Sequence, residues 1–148
     1  MRGMLLGISA ICLAASAAAA QSAIAIQRSV YIENRDSGAN GKQVRTLVRA
    51  DRLRRGDTVV LLLEWTAPGK ADSFVVSSRI PRDLAFKRSG AMAAQVSIDG
   101  GRNWGVLETL RIDNRRATPE DVTHLRWHVS NADAAQGRGI LTYSAIVR

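Results

Sequence analysis

The chain has 148 residues, a single cysteine and a formal charge of +8, from 21 lysines and arginines against 13 aspartates and glutamates. That length suits one domain with a real hydrophobic core rather than two. One cysteine excludes an internal disulfide or a multi-cysteine zinc site, and an apolar fraction of 46% argues against wholesale disorder.

The first element is a secretory signal peptide over residues 1–20. Met1-Arg2 supplies a positive start. Met4 to Ala15 is apolar, with Leu5, Leu6, Ile8, Ile11 and Leu13, and small residues end at Ala18-Ala19-Ala20. This charged, apolar, small-residue order marks export. The run is shorter than the roughly 20 apolar residues of a membrane span. Cleavage after Ala20 is therefore expected, leaving no membrane span. Cys12 follows Ile11, which is not the small residue a lipoprotein site requires. Cleavage removes Cys12, so the mature chain is disulfide-free in an oxidising compartment. Its expected location is the periplasm, the cell surface or the medium.

Ala23 to Ile32 and Thr46 to Val48 are weak strand candidates on either side of a loop, Asp36 to Gly41. That loop fails the calcium pattern, because its third position is Gly38 and its twelfth is Leu47. Thr58 to Trp65 is a bounded apolar run and reads as a buried strand. Ser73 to Ile80 is the next strand, closed by Pro81. Leu84 to Phe86 is a short third piece. Gln95 to Ile98 and Trp104 to Leu107 flank Asp99-Gly100-Gly101, a hairpin-type turn. Glu108 to Ile112 continues that strand or begins another. Thr118-Pro119-Glu120-Asp121 predicts a capped single helical turn. His124 to Val129 alternates strictly, with Leu125, Trp127 and Val129 on one face. Gly137 and Gly139 bracket a turn before a final strand, Ile140 to Val147. No amphipathic helix is predicted. Short strands punctuated by turns imply a β-sandwich or barrel.

The ordered set of Gly56-Asp57-Thr58-Val59, the apolar strand, Val75 to Ile80 with Pro81, Leu84 and Phe86, then Gly137, Gly139 and the closing strand resembles the conserved repeat domain of bacterial cell-surface proteins. Ser97 to Gly105 and Asp121 to Trp127 are similar to its single-copy secreted proteobacterial form. The resemblance runs from about Arg45 to Arg148. It implies an immunoglobulin-like β-sandwich of about seven strands with no catalytic residues. Two positions depart from the family pattern. Thr66 to Gly69 replaces an Asn-Thr-Gly turn, and Ser78-Arg79 stands where an acidic residue is usual. The resulting division is a signal peptide over 1–20, an N-terminal strand and basic loop over 21–44, and the sandwich over 45–148. Leu61, Leu63, Trp65, Val75, Ile98, Leu125, Trp127, Leu141 and Tyr143 are the predicted core.

Chemical motifs are sparse. His124 and His128 sit on a predicted strand, where four residues span about 13 Å, too far for one metal ion. Ser97 to Trp104 resembles the Asp-box turn of sialidase-type propellers, with Asn103 in place of the hydroxyl residue. It occurs once and reads as a structural turn in which Asp99 accepts backbone N–H groups. No Gly-x-Ser-x-Gly elbow is present. The reading is therefore non-catalytic, with no metal or cofactor.

Charge is unevenly placed. From Arg28 to Arg55 there are eight basic and three acidic residues; from Gly56 onward the counts are twelve and ten. Arg45, Arg49, Arg52, Arg54 and Arg55 are the candidate contacts to an anionic partner. Export and the scarcity of aromatic residues in this stretch disfavour nucleic acid. The expected partner is an envelope protein or surface assembly component, with anionic polysaccharide or lipopolysaccharide as the alternative.

Overall fold

The computed structural model describes residues 24–38, 41–67 and 72–148. The expected signal peptide with Cys12 lies outside these residues, as do Pro68 and Gly69. In chain order the strands are β1 (Ala25–Ser37), β2 (Gln43–Arg49), β3 (Thr58–Thr66), β4 (Phe74–Arg79), β5 (Leu84–Ser89), β6 (Gln95–Ser97), β7 (Arg111–Ile112), β8 (Arg115–Arg116), β9 (His124–Val129) and β10 (Arg138–Val147). A one-turn helix, α1 (Asn131–Ala134), precedes β10.

Five strands form one sheet in the order β2-β1-β3-β10-β5, and three form another in the order β4-β9-β6. All pairs are antiparallel. The fold is the all-β sandwich predicted from the sequence. Strand alternation builds its core. Val59, Leu63 and Trp65 of β3 and Leu141, Tyr143 and Ala145 of β10 face Val76 of β4 and Leu125, Trp127 and Val129 of β9. Trp127 meets Tyr143 across the sheets at 6.3 Å between ring centroids. Trp65 meets Phe74 edge-on at 5.1 Å. Leu125 and Trp127 are completely buried.

Several expectations need correction. Val75 is 51% exposed, and Val76 takes the core position at 1%. The cause is cross-strand pairing: Val76 lies opposite Trp127 and Ser78 opposite Leu125, so β9 sets the phase of β4. Leu61 and Ile98 are only partly buried, at the margin of the core. Asp36 and Ser37 belong to β1, not to a loop, and pair with Val44 and Gln43. The turn is closed instead by Gly38 N–H donating to Lys42 O at 3.0 Å. Beyond Asp99 the returning strand shrinks to a single bridge, Val96 to Gly105. Leu107–Thr109 is a 3₁₀ turn, not a strand. Helix α1 was not predicted, because four residues are too few to show a helical period. Its cap is Ser130, whose Oγ accepts from Asp133 N–H at 3.2 Å.

Strand β1 serves two neighbours in succession. It pairs with β3 from Ala25 to Ile32 and with β2 from Tyr31 to Ser37. Past Ile32 its only strand partner among the described residues is β2. The end of the β1–β2 ribbon therefore runs on beyond β3.

Candidate interaction surface

Strand β2 lies at the edge of the five-stranded sheet, and all seven of its residues are exposed. Its backbone phase follows from one bond. Ala50 N–H donates to Val30 O at 3.1 Å, and the Gly38–Lys42 bond lies in the same phase. Hydrogen-bonded pairs alternate with non-bonded pairs along an antiparallel ladder. Val44, Thr46 and Val48 therefore turn their N–H and C=O groups to β1. Arg45, Leu47 and Arg49 turn theirs to the other edge, where no strand pairs with β2 among the described residues. The strand also exposes apolar side chains: Val44 at 51%, Leu47 at 49% and Val48 at 49%.

The five predicted contact arginines fall into two groups. Arg45 and Arg49 stand on one face of β2, opposite Arg35 and Tyr31 of β1. Arg52, Arg54 and Arg55 lie in the connection to β3, and all five are exposed. That connection is pinned where it enters β3. Arg54 N–H donates to Asp57 Oδ2 at 2.7 Å, and Gly56 N–H donates to Val147 O at 2.8 Å. Gly56 has φ +90°, a conformation that suits glycine.

Glu33, counted in the sequence only as one of three opposing acids, organises this surface. Its side chain is buried, and its carboxylate lies 3.2 Å from Arg35, 3.8 Å from Arg45 and 3.7 Å from Arg88. Arg35 and Arg45 are direct cross-strand neighbours, and like charges in that position repel. Glu33 offsets this repulsion. Only the register brings Arg88 of β5 into the group, so its spacing in the sequence held no signal.

The outer face of the smaller sheet carries the remaining polar motifs. Asp99 receives hydrogen bonds from Ser97 Oγ at 2.8 Å, Arg102 N–H at 3.1 Å, Asn103 N–H at 2.9 Å and Asn103 Nδ2 at 2.6 Å. The Asn103 backbone N–H, followed by the Asn103 and Ser97 side chains, holds its carboxyl at about 2 against an ordinary 3.8. Trp104 Nε1 donates to Gly101 O at 2.9 Å. The motif is the structural turn anticipated from the sequence, with Asp99 accepting backbone N–H groups. Arg126 lies over the Trp104 ring at 4.6 Å and donates to Gln95 Oε1 at 2.7 Å. His124 and His128 do lie on a strand. His124 Nδ1 is 3.0 Å from Thr123 Oγ1, and His128 Nε2 is 3.2 Å from Gln95 Oε1. Among the described residues no three His, Cys, Asp or Glu side chains gather as metal ligands. Among the same residues, no helix is long and apolar enough to cross a membrane.

The β7–β8 hairpin is tied down by one bidentate pair. Arg115 donates to Asp121 through both Nη atoms, at 2.7 and 2.8 Å. The guanidinium holds the Asp121 carboxyl well below the usual range. Asp121 also accepts from Thr118 N–H at 2.8 Å, completing the predicted cap.

Comparison of the chain with protein-family models, curated proteins and solved structures gives no match.

Proposed function

We propose that this chain is an exported, non-catalytic interaction module of the bacterial cell envelope, similar in role to the conserved repeat domain that its sequence resembles. The observation that carries this reading is β2, a seven-residue strand with an open backbone edge, exposed apolar side chains and flanking arginines. Open edges of this kind accept an added strand, whose affinity comes from main-chain bonds and whose selectivity comes from alternate side chains. The partner is an envelope protein or surface assembly component. Arg45, Arg49, Arg52, Arg54 and Arg55 attract an acidic face and speed encounter.

Leu47→Pro tests the edge. The Leu47 N–H faces outward, so proline there costs no bond to β1 and suits an edge strand. The expected result is an intact fold with partner recovery from envelope extract abolished. Full recovery by a folded Leu47→Pro variant removes strand addition. Changing Arg49, Arg52, Arg54 and Arg55 to Glu tests the basic contribution, and unchanged recovery removes it. The exposed arginines also support a second reading, in which they bind anionic glycan or lipopolysaccharide. That binding weakens steeply with salt, and silence on a glycan array at low salt overturns it.

A further inference from the structure

A separate cavity of about 460 Å³ opens where the β4–β5 turn meets the 3₁₀ turn Pro119–Asp121 and the Asp99 turn. Its volume falls within the roughly 300–1,000 Å³ of small-ligand sites. Its floor is apolar and buried, including Ile80 and Val122. Arg79, Arg82 and Arg148 line it, together with His124 and the acidic Glu120. These residues come from three separate parts of the chain, and the three arginines each have a structural reason to be there. Arg79 ends β4 directly opposite His124 of β9. Arg82 sits in the turn closed by Leu84 N–H donating to Pro81 O at 3.0 Å. Arg148 is held at both ends: its N–H donates to Asp83 O at 2.9 Å, and its Nη2 donates to Glu120 O at 2.9 Å.

Among the described residues, none of these three guanidinium groups forms an ion pair with a carboxylate. By contrast, Glu33 pairs with Arg35, Arg45 and Arg88, and Asp121 pairs with Arg115. Here three arginines line one depression in which Glu120 is the one acidic side chain. His124 is oriented by its neighbours. The single Thr123 hydroxyl proton goes to Ser97 O at 3.1 Å, and Gly100 N–H donates to the same Oγ1 at 3.1 Å. Thr123 Oγ1 therefore accepts from His124 Nδ1–H, which leaves Nε2 without a hydrogen-bond partner among the described residues. An apolar floor with positive walls concentrates the field on an anion. Guanidinium forks match the oxygen spacing of phosphate.

We propose that this cavity binds a phosphate group carried by a small solute or by a lipid headgroup, at a site distinct from β2 and its arginines. The test is NMR titration of the ¹⁵N-labelled protein with inorganic phosphate, using chloride at matched ionic strength as reference. Saturable shifts at Gly100, Thr123 and His124 are expected. Arg79→Ala combined with Arg82→Ala should weaken binding by about tenfold or more, the scale of losing hydrogen bonds to a charged group. Arg138→Ala, exposed at the far end of β10 from Arg148, should leave it unchanged. Arg82→Glu, a single change in an exposed turn, gives the same reading should the double variant fold poorly. Shifts no larger than those with chloride overturn the proposal, as does parental affinity in the Arg79/Arg82 variant. Sedimentation with phosphatidylglycerol vesicles, against phosphatidylcholine, separates the two sources. Co-sedimentation that depends on Arg79 and Arg82 identifies a headgroup, and phosphate binding without it identifies a soluble phosphate compound.

Discussion

Tyr143 places a phenol in the centre of the sandwich, 1% exposed, and its hydroxyl has no hydrogen-bond partner among the described residues. Burial pushes this phenol above its ordinary value. An unpaired buried hydroxyl contributes nothing and costs its desolvation. Tyr143→Phe should therefore leave the thermal midpoint unchanged or raise it, and a clear fall in calorimetry would show that the hydroxyl is satisfied. Asp99 shows the opposite situation, a carboxylate satisfied by its own turn. Its folded value of about 2 lies below the ordinary 3.8. The unfolded chain thus binds a proton first as pH falls, and the stabilisation present above pH 4 is lost between about pH 4 and 2. Acid unfolding of Asp99→Asn should show a shallower loss over that window than the parent. Much of the Asp99 turn was legible in the sequence, because Ser97, Asp99, Asn103 and Trp104 act within eight consecutive residues. Glu33 was not, since its three arginine partners include Arg88, which is remote along the chain.

Among the elements, β9 and β10 declare themselves by their own side-chain alternation, and β3 by its bounded apolar run. β4 does not. Its adjacent Val75 and Val76 allow either phase, and only pairing with Trp127 decides which one faces inward. Similarly, β2 contains no residue more than partly covered, so nothing but its register with β1 marks it as a seven-residue strand. At the start of β10, a Cβ on Gly139 would meet the Trp65 ring at 2.5 Å. Trp65 is 3% exposed and packed edge-on against Phe74, so the ring has little room to yield. Gly139→Ala should destabilise the domain by about 1–3 kcal/mol, the usual cost of overpacking. Equilibrium urea unfolding checks it, and an unchanged midpoint would mean that the Trp65 ring moves freely.

For the whole molecule, both sheets converge on Trp127, which is fully buried against Tyr143. Trp127→Ala should cost about 3–5 kcal/mol, much of the net stability of a domain this size. Little soluble protein should then be recovered, and normal expression and melting would contradict this central role. The all-β class, the Asp99 turn, the apolar run of β3, the inward faces of β9 and β10 and the concentration of arginine before Gly56 were determined by the sequence alone. Each depends on residues close together in the chain, where periodicity and turn chemistry act directly. The phase of β4, the burial of Glu33 beneath Arg35, Arg45 and Arg88, the open backbone edge of β2 and the meeting of Arg79, Arg82 and Arg148 around one cavity were decided only by the tertiary structure. These depend on register and on the packing of one sheet over the other, which join distant residues whose local sequences carry no mark of the encounter.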